Sequence, residues 1–121
     1  MTKQATEAKP AKEVAFWDVD EDLKPYGRDR LLRSQAEGQY TAIIKFISDN
    51  DLFKKKRRAV DASGKLLIRQ VFASDLTNEG IEFVKAAHRP WFKSAATAKD
   101  PTKTTILEKY LKQVRGKSES D

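Results

Sequence analysis

Residues 47–80 read ISDNDLFKKKRRAVDASGKLLIRQVFASDLTNEG, and three changes of pattern within them decide the fold. A polar break, Ser48-Asp49-Asn50-Asp51, ends an apolar helical stripe, with Asn50 suited to the left-handed conformation that follows a helix. Five consecutive cations come next: Lys54, Lys55, Lys56, Arg57 and Arg58. Like charges this close repel unless they are solvated or matched by an anion, so the run is either a solvated loop or a site for a polyanion, the natural partner class. Ala59-Val60-Asp61 and Lys65-Leu66-Leu67-Ile68-Arg69-Gln70-Val71-Phe72 then stand on either side of Ala62-Ser63-Gly64, which predicts two strands joined by a glycine-containing turn. The stretch closes on Leu76-Thr77-Asn78-Glu79-Gly80, a helix start. Thr77 offers an oxygen to the free amides of the first turn and Glu79 a charge that suits the positive end of the helix dipole.

Working upstream, Asp29 can cap a helix that begins at Arg30 and carries Leu32, Ala36, Tyr40, Ile43, Ile44 and Ile47 on one stripe. Gly38 interrupts it at a cost of ~1 kcal/mol relative to Ala, which predicts two helices meeting there. Before it, Val14, Phe16, Trp17, Val19 and Leu23 alternate with Asp18, Asp20, Glu21 and Asp22 until Pro25-Tyr26-Gly27, a short strand or one helical turn. Phe16 and Trp17 serve either as a docking peptide for a protein partner or as the cap of a small core. Downstream, Ile81, Val84, His88, Trp91 and Ala95 share a helical face, and Pro90 predicts a kink or restart near Arg89-Pro90. Asp100-Pro101 predicts the start of a last helix, with Ile106, Leu107, Tyr110, Leu111 and Val114 on its apolar face and Gly116 as its stop. One domain, residues 14–115, is expected between disordered tails at 1–13 and 116–121.

The order of helix, basic hairpin and helix resembles the back half of a winged helix-turn-helix domain of the MarR or PadR type. The resemblance covers roughly residues 40–90. Leu76-Thr77-Asn78-Glu79-Gly80 stands at the Leu-Thr-x-x-Gly signature of those families, Asp61-Ala62-Ser63-Gly64 at the wing tip and residues 40–50 at the recognition helix. The resemblance implies a mostly helical α+β fold, a small winged-helix-like domain with a two-stranded β-hairpin wing and C-terminal helices. It implies duplex DNA as partner and a role in transcription regulation. Lys54, Lys55, Lys56, Arg57, Arg58 and Lys65 would contact phosphates, which set affinity and salt dependence. Gln39, Thr41 and Lys45, with Gln35, would face the bases. Trp91, Phe92, Tyr110 and Leu111 would pair two copies into a homodimer.

Composition sets the outer bounds. The 121 residues carry 24 Lys and Arg against 18 Asp and Glu, a formal charge of +6. The surplus is concentrated: residues 1–27 are net -2 and residues 28–117 net +10. Without cysteine there is no thiol nucleophile or thiolate metal site, and a single histidine provides no imidazole cluster. The five glycines never gather into a phosphate loop. A non-catalytic protein without cofactor or metal is therefore expected, with His88 a structural residue. No uncharged run approaches the ~18 apolar residues of a membrane span, and residues 1–12 lack the apolar middle of a secretory signal, so the expected location is the cytoplasm. The alternative to nucleic acid is a protein-interaction module, such as a small bacterial adaptor or a toxin-neutralising partner, working through an aromatic and acidic surface that includes Phe16 and Trp17.

Overall fold

A computed structural model describes residues 15–120, with side chains through residue 116. The fold is α+β and mostly helical: among the described residues there are five α-helices and one two-stranded antiparallel sheet. The acidic-aromatic segment supplies both of its expected forms in succession, strand β1 (Ala15–Asp18) and the short helix α1 (Val19–Leu23). Asp18 makes the switch, its carboxylate accepting the Glu21 amide at 3.3 Å. Alternation buries Trp17 while the α1 spacing buries Val19 and Leu23.

Helix α2 (Arg30–Asp49) opens at Asp29, whose carboxylate accepts the Leu32 amide at 3.0 Å. It runs unbroken through Gly38, contrary to the expected division. A β-carbon at Gly38 would lie 3.4 Å from Pro101 Cγ, van der Waals distance, so the 100–104 turn packs on the helix at this point. At the C-terminus the left-handed residue is Asp51 (φ 58°) instead of Asn50, whose side-chain amide donates to the Phe46 carbonyl at 2.8 Å.

The expected hairpin is corrected in its pairing. Val60 and Leu66 form a single bridge around a tight turn, in which Gly64 takes φ 88° and Asp61 Oδ1 accepts the Ser63 and Lys65 amides at 2.9 and 3.0 Å. The sheet itself joins β1 to strand β2 (Gln70–Phe72), with Trp17 opposite Val71 and Asp18 opposite Gln70. Its two strands are thus the beginning and the middle of the chain, not the two arms of a wing.

Helix α3 (Asn78–Lys93) begins as the Leu-Thr-x-x-Gly pattern predicts, with Thr77 Oγ1 accepting the Gly80 amide at 3.0 Å. It passes through Pro90, which lies in its last turn, and the break falls at Ser94. Ser94 ends α3 and caps α4 (Ala95–Lys99). Asp100-Pro101 forms a turn instead of a cap, and α5 (Thr105–Ser120) starts after it and continues past Gly116. The expected tail at 116–121 is helical to Ser120, and the tail expected at 1–13 lies outside the described residues. Helix α3 packs along α5, and Arg115 ties three elements together by donating to Glu79 (2.9 Å) and to the Asn50 carbonyl (3.0 Å).

Candidate nucleic-acid interface

The basic run is a bend held between buried anchors. Phe53 (5% exposed) bridges Leu76, and Ala59 (4% exposed) closes the segment on its other side. The Lys54 amide donates to Asp75 O at 2.8 Å, and Ser48 Oγ donates to Arg57 O at 2.6 Å. Backbone pinning at both ends forces the five side chains outward, and all five are exposed. They are not equivalent. Arg57 stands 5.5 Å above the Phe53 ring and 3.7 Å from the Asp75 carboxylate, while Arg58 Nε donates to Val60 O at 3.1 Å. Lys54, Lys55 and Lys56 have no ion-pair partner among the described residues.

The acids of the first segment approach this bend but are already committed. Asp18, Asp20 and Asp75 border a depression of about 800 Å³ with Lys54–Arg57. Asp20 is paired with Arg69 at 2.6 Å, and that hydrogen bond holds its carboxyl below the ordinary range. Arg69 also reaches Glu37 at 3.2 Å, so one guanidinium joins α1 to α2 across the extended segment that carries it. Asp22 accepts the Tyr40 hydroxyl at 2.8 Å. Burial, with the help of this carboxylate, raises the Tyr40 pKa, so the phenol stays protonated and donating.

Lys45, on the outward side of α2, pairs with Asp49 at 2.8 Å and shares a depression of about 420 Å³ with Lys56, Arg57 and Arg58. The bend and the helix therefore meet in one surface, where four cations, Lys45, Lys56, Arg57 and Arg58, outnumber the two acids Asp49 and Asp61. Beyond Lys45 the outward side of α2 becomes the floor of a larger groove of about 910 Å³. Arg30, Arg33, Ser34 and Thr41 line it from the helix, and Pro101, Thr102 and Gly64 from elsewhere in the chain. Arg30 and Arg33 were not singled out in the sequence. Their three-residue spacing on the polar side of a helix that Asp29 caps was the available signal.

Several expected site residues take other roles. Gln39 is 4% exposed, and its Nε2 donates to Trp91 O at 3.2 Å and to Thr97 Oγ1 at 3.1 Å, so it belongs to the core and cannot face a base. Thr41 lies in the groove with its hydroxyl donating to Glu37 O at 2.8 Å, and Gln35 is half-buried. Lys65 is exposed at the tip turn. Trp91 is fully buried, its indole donating to Gln39 O at 2.9 Å, and Leu111 is buried as well. Neither is free to pair two copies. Phe92 and Tyr110 are partly buried against the same core. Trp17 is interior and Phe16 half-covered, which makes the pair a cap of the core.

His88 sits at the rim of the α3 core face and keeps solvent on one side. Its Nδ1 accepts the Trp17 indole N–H at 2.7 Å, an arrangement that requires the neutral imidazole. Desolvation lowers its pKa, opposed by Asp22 and assisted by Arg89. Among the described residues no group of three or more His, Asp or Glu gathers as a metal site, and no helix is long and apolar enough to cross a membrane. Comparison with protein-family models, with curated proteins and with solved structures finds no match.

Proposed function

We propose that the protein binds nucleic acid through its phosphates and performs no chemistry on it. The observation that carries this reading is the continuity of the unpaired lysines 54–56 with the outward side of α2 through Lys45, Arg57 and Arg58. A solvated loop would satisfy the lysines alone. It would not require their backbone to be pinned at Phe53 and Ala59 beside a second basic element. We read the arrangement as winged-helix-like, with α2 followed by a reduced wing at residues 60–66 and the Leu-Thr-x-x-Gly helix start behind it. A reading as a protein-interaction module draws on a different surface, where Leu31 (67% exposed), Leu32 and Tyr26 stand open at the start of α2.

The test is the variant K54Q/K55Q/K56Q, which removes three unpaired charges and spares Arg57, already held by Phe53 and Asp75. Fluorescence anisotropy with labelled nucleic acid over a salt series should show uniformly weaker binding. The slope of log affinity against log salt should flatten by about 2–3 if each lysine neutralises one phosphate. Unchanged affinity and slope in the folded variant would refute the phosphate assignment.

A further inference from the structure

A helix that reads a duplex has to enter the major groove. That groove is about 12 Å wide, and a helix with its side chains is already about 10–12 Å across. The entering helix therefore needs a face with nothing standing beside it. In α2 the outward stripe is Ser34, Gly38, Thr41 and Lys45, at spacings of four, three and four residues. This stripe is the floor of the 910 Å³ groove, and Pro101 stands over its middle, 3.4 Å from the position a β-carbon would take on Gly38. Gly64 of the tip turn and Glu108 of α5 add to the walls. A duplex meeting this side touches the walls before the helix.

We infer that the groove along α2 receives an extended single strand of nucleic acid, an inference that rests on the nucleic-acid reading above and specifies which form it takes. The unpaired charge of the groove suits the phosphates of such a strand at its arginine end. Three cations and three acids line the groove: Glu37 and Asp49 are matched by Arg69 and Lys45, which leaves Arg30 and Arg33 without an ion pair among the described residues against one acid of the wall, Glu108, whose carboxylate accepts the Thr104 hydroxyl at 3.0 Å. The floor offers hydroxyls at Ser34 and Thr41 for base edges, and Ala42, Phe46 and Pro101 add apolar surface for base faces. Helix α2, with its 20 residues, is about 30 Å long. Its far end leads through Lys45, which Asp49 pairs, to Lys56 and Arg57, so one strand can run from cations at one end, Arg30 and Arg33, to cations at the other.

The experiment compares a labelled short oligothymidylate, the matching oligouridylate and a duplex of the same length on the full chain at constant low salt. Either single strand should bind about tenfold or more tightly than the duplex, and the stronger of the two identifies the sugar the groove accepts. Ser34→Trp fills the floor from an exposed position, and Thr41→Trp fills it two turns further on. Each variant that keeps the melting temperature of the unmodified protein should lose that preference. Equal or tighter duplex binding by the unmodified protein would overturn the inference and leave phosphate binding standing. Full single-strand affinity in the folded variants would do the same. Absence of binding to all three probes would overturn both.

Discussion

Gly80 is the residue at which a single methyl group should do most damage. It lies in the first turn of α3 with an ordinary helical backbone, so Ala there gains about 1 kcal/mol in helix propensity. Space decides the outcome instead. A β-carbon at Gly80 would fall 2.5 Å from the Leu52 carbonyl oxygen, 3.2 Å from Leu52 Cβ and 3.3 Å from Leu76 Cβ. The first of these contacts is with backbone and cannot be relieved by a rotamer. The start of α3 has to move off the turn after α2, and that strains the two bonds Thr77 makes to Leu52 O, from its amide at 2.9 Å and from its hydroxyl at 3.2 Å. Overpacking costs about 1–3 kcal/mol and each lost bond about 1 kcal/mol. After the propensity gain, Gly80→Ala should destabilise by about 2–4 kcal/mol, a fall in Tm of about 10 °C or more. Urea unfolding followed by circular dichroism measures this, with the midpoint falling by about 1 M or more at unchanged slope. A variant as stable as the parent, or more so, would refute the close approach and reduce the Leu-Thr-x-x-Gly pattern to an ordinary capped helix start.

Gly38→Ala should act in the opposite direction, because its β-carbon would make an ordinary contact with Pro101 Cγ at 3.4 Å; thermal unfolding should show a gain of up to about 1 kcal/mol. The His88 pKa is lower folded than unfolded, so the unfolded chain binds the extra proton first. Its contribution to stability is complete above the unfolded value of about 6.5 and is lost as the pH falls through the lower folded value. Urea midpoints measured across that range should decline on acidification, and His88→Gln should flatten the decline; an identical pH dependence in the variant would sink the assignment.

What could be read in the sequence was local. Asp29 and Thr77 each cap a helix through an oxygen that reaches amides three residues ahead, and both stand where the pattern puts them. Elements that depend on distant partners were not legible. Gln70–Phe72 carries the alternation of a strand in either pairing, and only the position of Trp17 on β1 makes Val71 its partner instead of a residue across the tip turn. Gln39 reads as a polar base-facing residue until α4 brings Thr97, and the end of α3 the Trp91 carbonyl, to its amide. Pro90 leaves α3 unbroken, because in the last turn the lost hydrogen bond interrupts little helix beyond it. The bend at residues 54–58 was visible as charge. Its separation into three unpaired lysines and two engaged arginines needed the positions of Phe53, Val60 and Asp75.

The pairing of β1 with β2 also divides the folding reaction. Helices α3, α4 and α5 follow one another with short connections, so their mutual packing closes small loops. Docking of β1 closes a long one, and Trp17 reaches His88 across 71 residues of chain. Long-range closure costs more chain entropy and slows folding. The two tryptophans stand on either side of this division, Trp17 on the strand and Trp91 within the helices. In stopped-flow refolding, the indole that remains in Trp91→Phe reports arrival of the strand, and the one that remains in Trp17→Phe reports assembly of the helices, so the order of the two events can be timed within one small protein.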